Sequence, residues 1–293
     1  VTTRVIPTCK GPDPDTRKPR LVLPPGACDA HCHVFGPGAV FPYAEDRAYT
    51  PPDSPYEGLV ALHSILGVSR AVIVHASCHG SDMAVTLDGI ARSQGAMRGV
   101  AVVDPGVTDA DLARLDAGGI RGVRFNFVKH LGGMPDMGFF RRVLAQVEPL
   151  GWHVVLHLDA QDVVALAPVI AAIRIPFVID HMGRVKAKDG LGQPAFRQLL
   201  ELMRNPLAWV KICGSERVSS AGAPFTDAVP FARALLAAAP ERCLWGTDWP
   251  HPNIAGDMPN DGDLVDLLGT MTGDAALIRQ VTVDNPDRLY WAR

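Results

Sequence analysis

Eight short apolar runs, each followed by a polar loop and then in most cases by a helical pattern, constrain this chain more than any other feature. They occupy 27–35, 71–77, 99–104, 122–128, 152–159, 176–183, 209–214 and 243–251. Most are continuous and β-branched rather than alternating, the pattern of parallel strands covered on both faces. Helical candidates lie between them at 56–67, 83–95, 139–151, 163–174, 195–205 and 230–240, and several stop at Gly or Asn, as helix ends do. Eight such units in 293 residues predict an α/β fold of the (β/α)8-barrel (TIM-barrel) type, whose usual size is about 250 residues. A doubly wound open sheet shares the local pattern and stands as the fold alternative. The count of eight, and polar residues at the C-terminal end of nearly every run, favour the barrel. No GxGxxG follows the first run, which removes the usual dinucleotide signal.

No linker divides the chain. The reading is therefore one barrel domain over 1–293 with an extended N-terminal arm over about 1–24, ending in a helix start at 283–291 that packs on the barrel. The longest insertion, at 36–55, is rich in Pro and aromatic residues and predicts a wall or lid. A second excursion follows the last run at 250–263, and loops of such length tend to be functional. A net charge of −3 without long like-charge runs argues against nucleic-acid or membrane-surface partners, which want a concentrated basic face. No stretch of about 18 apolar residues offers a membrane helix. The first residues lack the apolar core of a signal peptide, so the expected location is the cytoplasm. Cysteines 9, 28, 32, 78, 213 and 243 form no CxxC pair, and several sit in apolar runs; they read as buried free thiols.

Three clusters carry chemistry. In Asp29-Ala30-His31-Cys32-His33, residues two apart on a strand share a face, so both imidazoles project together. They can hold a metal or polarise a carbonyl. Asp180-His181 ends the sixth run, where on its own it reads as a structural Asp–His pair. Asp248 ends the eighth among tryptophans, where partial desolvation suits a general base. Arg124 sits on the fourth run, Arg184 follows His181 and Arg217 follows the seventh run, and arginine is the side chain best shaped for bidentate carboxylate binding. Tyr49, Ser77, His79, His130 and His251 are further candidate donors. No GxSxG occurs, which argues against a serine esterase.

Taken in order, the segments DAHCHVFGP, ASCHG, AVVDP, GVRFNF, DHMGR and WGTDWPHPN make the chain resemble the amidohydrolase superfamily, and within it the branch of 2-pyrone-4,6-dicarboxylate lactonases. The resemblance spans nearly the whole chain. It implies that His31, His33 and His181 surround a lactone carbonyl and stabilise its oxyanion, while Asp248 takes a proton from water and passes it to the departing ring oxygen. It also puts Arg124 and Arg217 at substrate carboxylates. Two departures stand out: lactonases of this branch carry Arg where this chain has His130, and Tyr where it has His157. The second leaves the cofactor open between no metal and one zinc on His31, His33, His157, His181 and Asp248. The expected substrate is a small anionic lactone from aromatic catabolism, 2-pyrone-4,6-dicarboxylate first. The alternatives are a zinc-dependent 4-sulfomuconolactone hydrolase and a metal-dependent decarboxylase of the same superfamily.

Overall fold

The computed structural model describes residues 5–292, so the first four residues of the expected arm lie outside the described residues. Its strands are β1 (Cys28–Cys32), β2 (Arg70–Val74), β3 (Met97–Ala101), β4 (Ile120–Asn126), β5 (His153–His157), β6 (Phe177–Ile179), β7 (Ala208–Lys211) and β8 (Cys243–Leu244). All neighbours pair parallel in sequence order from β1 to β8. A doubly wound sheet would reverse its order at a switch point, so that alternative falls. The seam between the last strand and the first is closed by backbone hydrogen bonds from Ala30 N to Trp245 O (2.9 Å), Asp248 N to His31 O (2.7 Å) and His33 N to Trp249 O (2.8 Å).

The strands bury two faces, which explains their unbroken apolar character. Cys28, Ala30, Val72, Val74, Val100, Val155, Val178, Trp209 and Leu244 fill the barrel, together with Tyr290 from the C-terminal segment. Tyr290 stands edge-on to His153 at the start of β5, so the chain's end does pack on the barrel, in π-helical turns at Gln280–Asp284 and Asp287–Trp291. The opposite strand faces, including Ile73, Val154, Leu156, Phe177, Ile179 and Val210, pack with the surrounding helices. The helix Asp109–Ala117, which the apolar pattern did not single out, is specified at its start by a reciprocal Thr108–Asp111 capping box.

β1 carries an irregularity that matters for the site. Asp29 pairs with Ala71 but Cys32 with Ile73, so β1 spends three steps where β2 spends two. Such a bulge re-aims side chains and is common beside active sites. The arm crosses the 36–55 loop, with Thr50 N donating to Pro7 O and Cys9 N to Thr50 O. It then docks on the helix Asp261–Thr272, where Asp266 accepts from Arg20 N and Leu21 N. All six cysteines are free and five of them are buried. Among the described residues no helix is long and apolar enough to cross a membrane.

Candidate active site

At the C-terminal mouth of the barrel, four groups converge on one carboxylate. Asp248 Oδ1 lies 3.2 Å from His33 Nε2, 3.4 Å from His31 Nε2 and 3.8 Å from His181 Nε2. Its other oxygen, Oδ2, accepts from Arg217 Nε at 2.9 Å and Nη2 at 2.6 Å. All four acidic and imidazole side chains are buried. Burial alone would raise the Asp248 pKa, but Arg217 above all, then His181, holds it well below the usual carboxylate range. Burial depresses the His31 pKa to about 4, with help from the Lys211 ammonium, and carries His181 well below its ordinary value against the pull of Asp248.

The backbone is bent to make this convergence. His181 (φ 52°), Met182 (φ 52°), Asp248 (φ 66°) and His251 (φ 58°) all adopt the left-handed conformation, which costs non-glycine residues on the order of 1 kcal/mol or more each. Surrounding structure holds them there. Asp29 pins the seam: Oδ1 accepts from His31 N and Thr247 N, and Oδ2 from Thr247 Oγ1 at 2.6 Å and His63 Nε2 at 3.1 Å. Gly214, itself at φ +73°, lies so close to His181 that an added Cβ would sit 2.7 Å from Nδ1.

Of the anticipated residues, His33, Tyr49, Ser77, Arg124, His130, His157, His181, Arg184, Arg217 and Asp248 line a common cavity at this mouth. His31 sits at its base, fully buried. The 36–55 insertion supplies Tyr49, and the 250–263 excursion supplies Pro252 and Asn253, so both long loops serve as walls. His79 instead packs beneath the first insertion, beside Tyr43, with Nδ1 donating to Pro42 O. His251 corrects the expectation of a donor at the mouth. It is fully buried behind Asp248, its Nε2 3.1 Å from Asp261 Oδ1, because the left-handed turn after Asp248 swings it away from the cavity.

The arginines are not free either. Arg124 Nε and Nη2 both lie 3.0 Å from Asp180 Oδ2, and Arg184 Nε lies 2.8 Å from Asp159. Asp180 is therefore no partner of its neighbour His181. It faces Arg124 and Lys211, the latter at 3.2 Å; burial would raise its pKa, yet Lys211, His31 and Arg124 hold it well below the usual range. Sequence reasoning missed three residues here. Lys211 ends β7 fully buried, and its only signal was a lysine inside the apolar run WVKICG. Glu216, buried beside Arg217 at 3.3 Å, has its pKa raised by burial. Asn253 lines the cavity without any prior pattern.

For a metal, the ligand atoms of His31, His33 and Asp248 lie within 4.8 Å of one another, as do those of His31, Asp180 and His181. His31 Nε2 is buried without a hydrogen-bond partner. By type and spacing such donors fit a zinc with three protein ligands. His157 joins neither group, which reduces the five-residue set. Its Nδ1 is held by Asn126 Oδ1 at 3.0 Å and its Nε2 is buried without a partner.

The comparisons identify the family of the fold. The family described as Amidohydrolase matches residues 28–291. A 4-sulfomuconolactone hydrolase of Hydrogenophaga intermedia is 43% identical over 289 residues, covering 98% of this chain and 95% of the relative. A 2-pyrone-4,6-dicarboxylate hydrolase of Comamonas testosteroni is 43% identical over 283 residues, covering 94% and 93%. A solved structure from Pseudomonas putida superposes with a TM-score of 0.80 at 33% identity, covering 92% of this chain and 98% of the other. With its eight-stranded barrel and its histidine–aspartate centre, the chain belongs to the amidohydrolase family.

Proposed function

We propose that this enzyme hydrolyses an anionic ring lactone, with 2-pyrone-4,6-dicarboxylate the leading substrate and 4-sulfomuconolactone the second. One observation carries the reading: a carboxylate at the end of β8 is ringed by three imidazole Nε2 atoms and paired with an arginine, in a cavity that two further arginines line. The two relatives named for these lactones, at equal identity, support both substrates alike. In this reading the lactone carbonyl oxygen docks against His31 and His181, whose donors strengthen as the oxyanion forms. Asp248 takes the proton of the attacking water and returns it to the leaving ring oxygen. Arg217 links binding to chemistry. While it serves Asp248 alone it weakens that carboxylate as a base, and a substrate anion sharing the guanidinium loosens the hold.

The donor set also admits one zinc, on His31, His33 and Asp248. When bound, it would polarise the carbonyl as a Lewis acid and acidify water. The deciding experiment follows the ultraviolet absorbance of 2-pyrone-4,6-dicarboxylate with purified enzyme, with and without a strong chelator. Loss of the pyrone band in both samples supports metal-independent hydrolysis, and loss only without chelator supports the zinc form. No loss in either refutes the pyrone substrate and moves the assay to 4-sulfomuconolactone, whose persistence as well would overturn the lactonase reading.

A further inference from the structure

Lys211 is the most buried cation of the site, with no exposed surface, and it does not line the cavity. Its Nζ sits 2.9 Å from His31 Nδ1 in hydrogen-bonding geometry and 3.2 Å from Asp180 Oδ1. An ammonium has three donors and no acceptor. A proton on His31 Nδ1 would therefore point at another proton, so Nδ1 must offer its lone pair. The competing neighbour of Nδ1, Asp180 Oδ1, stands farther off at 3.3 Å and pulls the His31 pKa upward, but the shorter and better-aligned contact is the 2.9 Å one to Lys211. The His31 proton then resides on Nε2, which makes no hydrogen bond of its own but lies in the field of Asp248 Oδ1, 3.4 Å away. A lone pair aimed at a carboxylate would be repelled, whereas an N–H is attracted.

His33 is set differently by what stands behind it. Its Nδ1 lies 2.7 Å from Val74 O, a group that only accepts, so Nδ1 carries a proton, whereas the Nδ1 of His31 faces an ammonium that only donates. Two neighbouring imidazoles on one strand are thus wired to different roles by what stands behind them.

We propose that Lys211 is a positioning residue that locks His31 as an Nε2–H donor. As such a donor, His31 serves the lactone oxyanion and is unavailable as a metal ligand through Nε2 until that proton leaves. The donor set that fits zinc by type and spacing is thereby biased against it by tautomer. The consequence for rate rests on the lactonase reading, but the tautomer itself belongs to the resting protein and is tested without substrate.

The test is nitrogen-15 NMR of the histidine side chains in the metal-free full chain, with the His31 signals assigned by their loss in His31→Gln. The expected result is a pyrrole-type Nε2 and a pyridine-type Nδ1 at His31. The reverse pattern in the wild-type protein overturns the proposal, whatever any variant does. In Lys211→Met the pattern should invert, as Nδ1–H turns to Asp180. Zinc affinity measured by calorimetry should then rise at least tenfold over wild type, and kcat should fall on the order of 10²-fold, the loss of one oxyanion donor, with KM within threefold. A folded Lys211→Met protein that keeps the wild-type His31 pattern overturns the proposal too. If the tautomer inverts while lactone turnover is undetectable even in wild type, the lactonase reading fails and the role of Lys211 stands.

Discussion

Asp248→Asn separates the base from its framework, because the amide keeps the shape and removes the charge. Arg217 has only donors, so the amide oxygen must face it, which turns the NH2 group toward three imidazole Nε2 atoms at 3.2–3.8 Å. Against the N–H of His31 this sets donor to donor. The largely buried Arg217 also loses the carboxylate it held at 2.6 and 2.9 Å and keeps Glu216 at 3.3 Å and the Pro252 carbonyl at 3.1 Å. Breaking a buried pair costs about 3–5 kcal/mol, and the remaining Glu216 puts this case at the lower end. About 3 kcal/mol corresponds to a fall in Tm of roughly 5 °C for a chain of this size. The rate should drop further than stability suggests: loss of a general base removes about 10²–10⁴-fold, roughly 3–5 kcal/mol of barrier. The assay pairs a thermal melt with steady-state absorbance of the lactone and a calorimetric Kd. A cooperative melt, Kd within threefold of wild type and turnover down at least 10²-fold are expected. Turnover within fivefold of wild type in the folded variant would refute Asp248 as the base.

Arg217→Met removes the largest influence holding the Asp248 pKa down, so burial dominates and that pKa rises. Activity needs the carboxylate form, so the acid limb of the pH–kcat/KM profile should move to higher pH while KM rises; an unmoved limb would detach Arg217 from Asp248. Gly214→Ala places a Cβ 2.7 Å from His181 Nδ1 at a φ of +73°. Overpacking and left-handed strain should together cost about 2–4 kcal/mol by urea denaturation, with kcat falling as His181 is displaced; wild-type values for both would mean the loop relaxes freely. The whole fold should weaken on mild acidification. His31 and His75 have folded pKa values lowered to about 4 and about 3, chiefly by burial, against about 6.5 unfolded. Between those limits the unfolded chain binds more protons, so stability is lost as pH falls below 6.5. From pH 7 to pH 5 the two contribute a loss on the order of 4 kcal/mol, while His251, whose pKa is raised by Asp261 against the effect of burial, opposes it. Urea midpoints at the two pH values check this, and equal midpoints would contradict it.

The strands were legible because burial on both faces writes an unbroken apolar run: each of the eight runs overlaps one observed strand, and β2, β3, β4 and β7 begin one or two residues ahead of theirs. The helix Asp109–Ala117 was not, because DADLARLDA buries only Leu112 and Leu115; its information lies in the cap rather than in a stripe. The histidine pair and Asp248 stood out since such residues at strand ends are conspicuous against apolar surroundings. Lys211 is the instructive omission. A lysine inside an apolar run reads as an edge or surface residue, and only three-dimensional closure brings Asp180 and His31 to the end of β7 from the end of β6 and from β1. His251 misled for the converse reason: its neighbour Asp248 faces the cavity, but the left-handed turn between them sends successive side chains in unrelated directions.

The arginines alter how a dianion would be recognised. A free guanidinium cluster would repel itself when buried, and binding would have to repay that repulsion. Here Arg124, Arg184 and Arg217 are each paired with a carboxylate, namely Asp180, Asp159 and Asp248, although Arg124 shares Asp180 with Lys211. In Arg124 and Arg217 the pairs use the Nε and Nη2 side of the fork, which leaves the Nη1 side for a ligand. A substrate anion therefore meets fixed donors whose charge is largely offset, with one excess cation where Arg124 and Lys211 share Asp180, so orientation more than net charge should decide affinity. Planar carboxylate and tetrahedral sulfonate then differ in how well they match two fixed Nη1 edges. That geometric match, and not a count of positive residues, is where selectivity between the two lactones would reside.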